Sequence, residues 1–347
     1  MPAKTPSSAF HWLLFAGLAF AWGSSYFFIK VGLDDGMAPF TLVGWRLAIS
    51  IVGLALLIAL TRSRIPRDRR VLAKLAVMGI LYVAIPFSLI TWAEQSIDST
   101  LAAILQGLTP LFALIIAGIV LQDEPITLNK VGGLVVGFAG AIVIISGNMT
   151  PTVDANPGAG LTGEIALVLS CLSYAIGATY LRRSIGTRPL MLDPETGPRP
   201  LRPVEIALPQ NIVALLIIAP LALIFEGGRG VPTPPAPSAW VSVIWLGLVG
   251  SAIAYLMFYR LINAWGVYRS SLITYAMPVV GILLGVLVLN EIIDLQTLVG
   301  LAMVIGGIAL ANAPFGRRII YGRARTRTTI LPAPTTDPTA MPVPALD

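Results

Sequence analysis

The chain has 347 residues, of which 56% are hydrophobic and only 12% charged, with a net charge of +6 and a mean hydropathy of +0.83. Soluble domains carry about twice that charged fraction, so a soluble enzyme, a secreted disulfide scaffold and a disordered chain are excluded. A single cysteine, Cys171, cannot form an internal disulfide, and a single histidine, His11, removes most metal and histidine-base chemistry.

Ten apolar stretches account for the excess, at 11–33, 39–60, 71–92, 99–121, 129–147, 161–182, 204–225, 239–260, 268–290 and 296–315. A run of about 20 such residues crosses a hydrocarbon core of about 30 Å. Continuous rather than alternating hydrophobicity makes these helices and not barrel strands. The expectation is an all-α polytopic membrane protein with ten transmembrane helices. Hydrophobicity continues past Ala19-Phe20-Ala21 to Leu33, so the first helix is read as uncleaved.

Basic residues orient the chain. With the N-terminus in the cytoplasm, 20 of the 23 Lys and Arg fall on cytoplasmic positions; Lys30 and Arg229 lie outside and Arg46 within a helix. Both termini are then cytoplasmic, and the expected location is the cell (inner) membrane. The basic clusters meet anionic lipid; no nucleic-acid partner is expected.

Two halves repeat. Gly107-Leu108-Thr109-Pro110 through Glu124 has a counterpart at Tyr275-Ala276-Met277-Pro278 through Glu291, and Gly133 and Gly140 match Gly300 and Gly307. Five helices per half would insert the second copy upside down, an inverted repeat with a binding site near the midplane between the copies. The expected organisation is a tail over 1–10, a first repeat over 11–147, a linker over 148–160, a second repeat over 161–315 and a tail over 316–347, basic and then Pro/Thr-rich.

Arg46 is the sharpest single feature, since an intramembrane guanidinium costs about 2.5–3.5 kcal/mol on insertion scales and needs a partner or water. It either binds a carboxylate or phosphate or fixes helix packing through carbonyls or a neighbouring acid. Arg46, Ser50 and Gly53 share one helix face. In helix 4, Gln106 and Thr109 are candidate solute contacts on a stripe of small residues. Thr274 and Tyr275 hold the corresponding place in helix 9. Pro110 and Pro278 free backbone carbonyls and act either as hinges or as static kinks. Trp22, Tyr174, Tyr255 and Tyr275 are deep enough to line a pocket, and Tyr26 recurs near the same cavity. The glycines of helices 5 and 10 read as packing positions within each repeat. Glu124 and Glu291 end helices 4 and 9 and read as solvated turn or cap positions, or as gate latches. Glu94 is the acid nearest the cavity. A coupling proton could use it or the tyrosines, and no cofactor or metal is implied.

These residues resemble the EamA family of the drug/metabolite transporter superfamily over about 11–315. Trp22-Gly23-Ser24 with Lys30, Arg46, Pro110, Glu124, Pro278, Glu291 and the paired glycines carry the resemblance. It implies ten helices around a central cavity and transport of small metabolites, often export of amino acids or related solutes. The first reading is therefore a carrier of amino-acid-like or weakly anionic solutes. The alternatives are an exporter of drug-like cations or an uptake carrier for nucleosides or sugars. A channel lacks its polar lining, and an enzyme its catalytic set.

Overall fold

With no water to serve the backbone, apolar runs close their own hydrogen bonds as helices. The computed structural model describes residues 8–120, 126–147, 159–184, 190–191, 198–199, 201–227, 236–270, 273–313 and 319–321. Within these its regular structure is helical apart from two short antiparallel pairings, 126–127 with 319–321 and 190–191 with 198–199. The first half contains α1 (Ser8–Asp34), α2 (Pro39–Thr61), α3 (Arg69–Gly79), α4 (Ile85–Ala93), α5 (Ser99–Leu105), α6 (Thr109–Val120) and α7 (Leu128–Gly147). The second contains α8 (Ala159–Ser184), α9 (Pro203–Glu226), α10 (Pro237–Ile244), α11 (Ala254–Ser270), α12 (Ile273–Val288) and α13 (Leu295–Asn312).

Eight helices among the described residues are long and apolar enough to cross a membrane, and two shorter apolar helices lie at Ala276–Val288 and Leu295–Ala311. The outward surface agrees, with Leu13, Ile119, Ile224 and Leu287 each more than 70% exposed. Large apolar side chains standing free around the whole bundle suit lipid and not water. The chain is a polytopic helical membrane protein.

Three expected helices are interrupted in mid-course. A π-helical stretch, Ile80–Ala84, joins α3 to α4, and a longer one, Trp245–Ile253, joins α10 to α11. A 3₁₀ turn, Gln106–Leu108, joins α5 to α6. Hydropathy cannot show these breaks, because each stretch stays apolar while its hydrogen bonds change partner. Helix α11 runs to Ser270, past the expected end at 260, because helical hydrogen bonding continues through Arg260, Asn263 and Arg269 after the apolar run stops.

The main packing partners are α1 with α12, α2 with α9, α4 with α8 and α7 with α13. Each pairing joins an element before the 148–160 segment to one after it. This corrects the expectation that the glycines of helices 5 and 10 pack within their own halves. A Cβ on Gly140 of α7 would lie 2.7 Å from the Gly300 carbonyl of α13, and Gly133 runs against Gly307. Small residues bring two backbones together here across the halves.

Candidate functional site

Helix α2 starts at Pro39, and Arg46 lies seven residues in, about 10 Å below that end. Its side chain is buried. Nε donates to Ser251 Oγ at 2.9 Å, Nη2 donates to the Gly250 carbonyl at 3.5 Å, and the guanidinium carbon stands 3.8 Å from the centre of the Phe87 ring. Gly250 and Ser251 lie in the second π-helical stretch, whose wider turn presents them sideways to α2. A Cβ on Gly250 would meet Ser25 Oγ at 2.9 Å, so glycine leaves room there for that hydroxyl. The sequence-based alternatives for Arg46 gain a specific form: a hydroxyl, a carbonyl and an aromatic face hold the cation. On the same face, Ser50 accepts from Asn211 Nδ2 at 2.9 Å, and Gly53 packs against Leu248 and Ala252.

A second polar group forms where α5 breaks. Gln106 Nε2 donates to Thr109 Oγ1 at 2.9 Å, and Ser170 Oγ of α8 donates to Gln106 Oε1 at 3.2 Å. The two sequence candidates are therefore joined directly, at the 3₁₀ turn that precedes Pro110. Pro110 occupies the first turn of α6, where its missing N–H costs little, while Pro278 is buried inside α12.

The aromatic candidates divide. Tyr26 and Tyr255 are buried. Tyr174 meets Tyr82 edge-on at 5.1 Å, and Tyr255 meets Trp22 at 6.3 Å and Tyr259 at 6.4 Å. Tyr26 and Tyr174 pack in one apolar cluster, and Tyr255 packs with Trp22 and Tyr82 in another. Thr274 is half-buried near the start of α12, apart from the contacts described. The Tyr275 side chain and Glu124 lie outside the described residues.

Glu291, just past α12, accepts from Ser99 N at 2.9 Å, Ser99 Oγ at 2.7 Å and Thr100 N at 2.9 Å. Of the two expected positions, solvated turn or cap, it is a cap, and it serves α5, a helix of the other half. Sequence reading missed its analogue Glu226, at the end of α9. That carboxylate accepts from Phe40 N at 2.8 Å, Thr41 N at 2.8 Å and Thr41 Oγ1 at 2.7 Å, capping α2. A lone acid ending an apolar run was the available signal. Ser251 and Asn211 were also missed, being single polar residues in apolar stretches.

Thus α5 is tied to α12 at the Glu291 end, whereas α6 leaves α12 and packs on α8. The helices on either side of Pro110 and Pro278 are joined at one end and parted at the other. A separate apolar groove lined by Phe40, Ile80, Ala84, Ile217, Ile218 and Leu221 offers only the Ser88 hydroxyl, and has nothing to recognise a polar solute.

The EamA-like transporter family matches this chain twice, over residues 10–146 and 161–313. An Escherichia coli K12 protein named "Uncharacterized inner membrane transporter YedA" is 30% identical over 274 residues, 78% of this chain and 80% of its own. An Archaeoglobus fulgidus "Uncharacterized transporter" is 27% identical over 86% of this chain and 96% of its own. A Streptantibioticus cattleyicolor "Probable terminal-alkyne amino-acid exporter" is 29% identical over 89% of this chain and 93% of its own. One solved crystal structure superposes with a TM-score of 0.60 at 17% identity, covering 88% of this chain and 99% of its own, so the two share a fold. The chain belongs to the EamA-like transporter family of the drug/metabolite transporter superfamily.

Proposed function

We propose that this chain is a secondary carrier of ten membrane-crossing helices that moves amino-acid-like or weakly anionic solutes out of the cell. Its two halves, 11–147 and 161–315, work as inverted repeats that rock about a shared cavity. The 20-to-2 division of basic residues supports cytoplasmic termini and an inner (cell) membrane location, which puts the Glu291 end outside. Three regularities support the repeat. The π-helical stretch at 80–84 and the one at 245–253 correspond under the 167-residue displacement that relates Glu124 to Glu291. Gly133 and Gly140 correspond to Gly300 and Gly307 under the same displacement. Gly133 meets Gly307 while Gly140 meets Gly300, the reciprocal pattern of a two-fold axis.

The single observation that carries the solute class is the guanidinium of Arg46, buried among polar and aromatic groups with no carboxylate among its described partners. Such a cation is matched by an anionic group on the cargo. Gln106 and Thr109 orient the solute, and Tyr26, Tyr174, Tyr255 and Trp22 enclose it. Pro110 and Pro278 hinge the gate, and Glu291 latches it. The name of the S. cattleyicolor relative favours amino acids as cargo.

Counterflow in proteoliposomes tests this reading. Purified protein is given radiolabelled amino acids, nucleosides and quaternary amines in turn. Amino acids should saturate and exchange, and the Arg46→Gln protein should lose the exchange. Preferential exchange of quaternary amines would replace this reading with cation export.

A further inference from the structure

Glu94 forms the C-terminal cap of α4, and its main-chain carbonyl accepts from Lys30 Nζ at 3.2 Å. Its carboxyl group is placed quite differently. The side chain is fully buried, and neither oxygen has a hydrogen-bond partner. Buried polar groups are almost always paired, and one that is not calls for an explanation. The ammonium of Lys30 already lies 3.8 Å from Asp34. The charges that reach Glu94 are Lys30 and Asp34 of α1, Arg46 of α2 and Glu291 beyond α12. Arg46 is likewise without a carboxylate at ion-pair distance.

Among the described residues, Glu94 and Arg46 are therefore a buried acid and a buried base with no ion-pair partner. Their spacing can be gauged along α4. Arg46 lies on Phe87, and Glu94 is seven residues further on, about 10 Å along the axis. Tyr26, buried on α1, is a neighbour of both groups. An α-amino acid with its carboxylate on Arg46, its ammonium on Glu94 and a charge-assisted hydrogen bond of about 2.8 Å at each end spans a length of that order. A plain anion would leave Glu94 unmatched, and a plain cation would leave Arg46 unmatched.

We propose that Glu94 is the ammonium-binding group of the cavity and that the cargo is a zwitterion carrying amine and carboxylate on one carbon. This rests on the amino-acid reading above and adds the residue that selects the amine.

The test uses the full chain in proteoliposomes, with the proteinogenic amino acids as probes. For the amino acid exchanged best, its N-acetyl derivative and its amide are compared with it. Wild type should exchange the zwitterion and reject both derivatives. The Glu94→Gln protein should lose affinity for the zwitterion by about tenfold or more while gaining on the N-acetyl acid. Glu94→Asp, which keeps the charge, should recover part of the loss, and an unchanged elution profile in detergent separates binding from misfolding. If wild type exchanges no amino acid, the amino-acid reading falls and this proposal with it. If wild type exchanges amino acids and Glu94→Gln does so with equal affinity, only the role of Glu94 falls. A Glu94→Gln protein that keeps zwitterion affinity but loses accumulation driven by a pH gradient would also overturn it, making the residue a proton relay.

Discussion

Gly140 in α7 and Gly300 in α13 are in backbone contact: a Cβ on Gly140 would stand 2.7 Å from the Gly300 carbonyl and 2.7 Å from Met303 Cβ. Neither neighbour can swing aside, because both belong to the facing helix near its main chain. Gly306, in the same α13, has nothing within 4 Å of where its Cβ would lie. Gly140→Leu should therefore destabilise the fold by about 1–3 kcal/mol or more, read as a lower unfolding temperature in detergent. Gly306→Leu should leave that temperature where it was. Equal effects would show that glycine matters here for something other than the contact.

Arg46 makes a different kind of demand, because shape and charge both matter. Its Nε reaches Ser251 while its flat face covers Phe87. Lysine carries the charge but has neither the Nε donor nor the planar face. Arg46→Lys should fold, since the cation is kept, yet bind its solute about tenfold or more weakly. Ser251→Ala, which removes only the acceptor, should give a smaller loss. Solute-dependent thermal stabilisation of the purified variants would measure both. An Arg46→Lys protein with wild-type affinity would reduce the role of Arg46 to bulk charge.

The membrane class and the approximate spans were legible because transfer from water to lipid acts on composition, which a linear reading captures. Arg46 was legible because a charge within an apolar run is conspicuous. Its holders were not: Ser251 and the Gly250 carbonyl come from a π-helical stretch of the other half, and no residue type marks that change. Glu291 and Glu226 were hidden for another reason. Each caps a helix in the opposite half, more than 180 residues away, and a cap is visible in sequence only when it is local. Gln106 and Thr109 lie three residues apart, and their contact was within reach of helical spacing.

The Glu291 cap gives a test of gating. Its carboxylate satisfies two orphan N–H groups of α5 and the Ser99 hydroxyl, and losing such a cap costs about 1–2 kcal/mol. Glu291→Gln keeps the size but not the two-oxygen acceptor, so the α5–α12 contact should open more often. A Cys171→Ser protein carrying Ala102→Cys, one turn into α5, should react faster with a thiol reagent when Glu291→Gln is added. Glu226→Gln, whose cap serves α2, should leave that rate unchanged. Equal acceleration by both would point to general loosening and away from a latch.

Asp98, immediately before α5, adds a pH dependence to the same end of the bundle. Burial first, and then the neighbouring Glu291, hold its carboxyl above the ordinary carboxylate value, with Lys30 pulling the other way. An acid raised in the closed arrangement binds a proton more readily there than when α5 swings into water. The closed arrangement is therefore favoured as pH falls through the raised value, and the gain levels off below the ordinary value. Labelling at Ala102→Cys in the Cys171→Ser background, corrected for reagent ionisation with a fully exposed cysteine, should slow on acidification. Asp98→Asn mimics the neutral form and should flatten that dependence at the slow, low-pH level. Labelling that speeds up with acid would reverse the sign and make Asp98 a group that must be charged for the contact to hold.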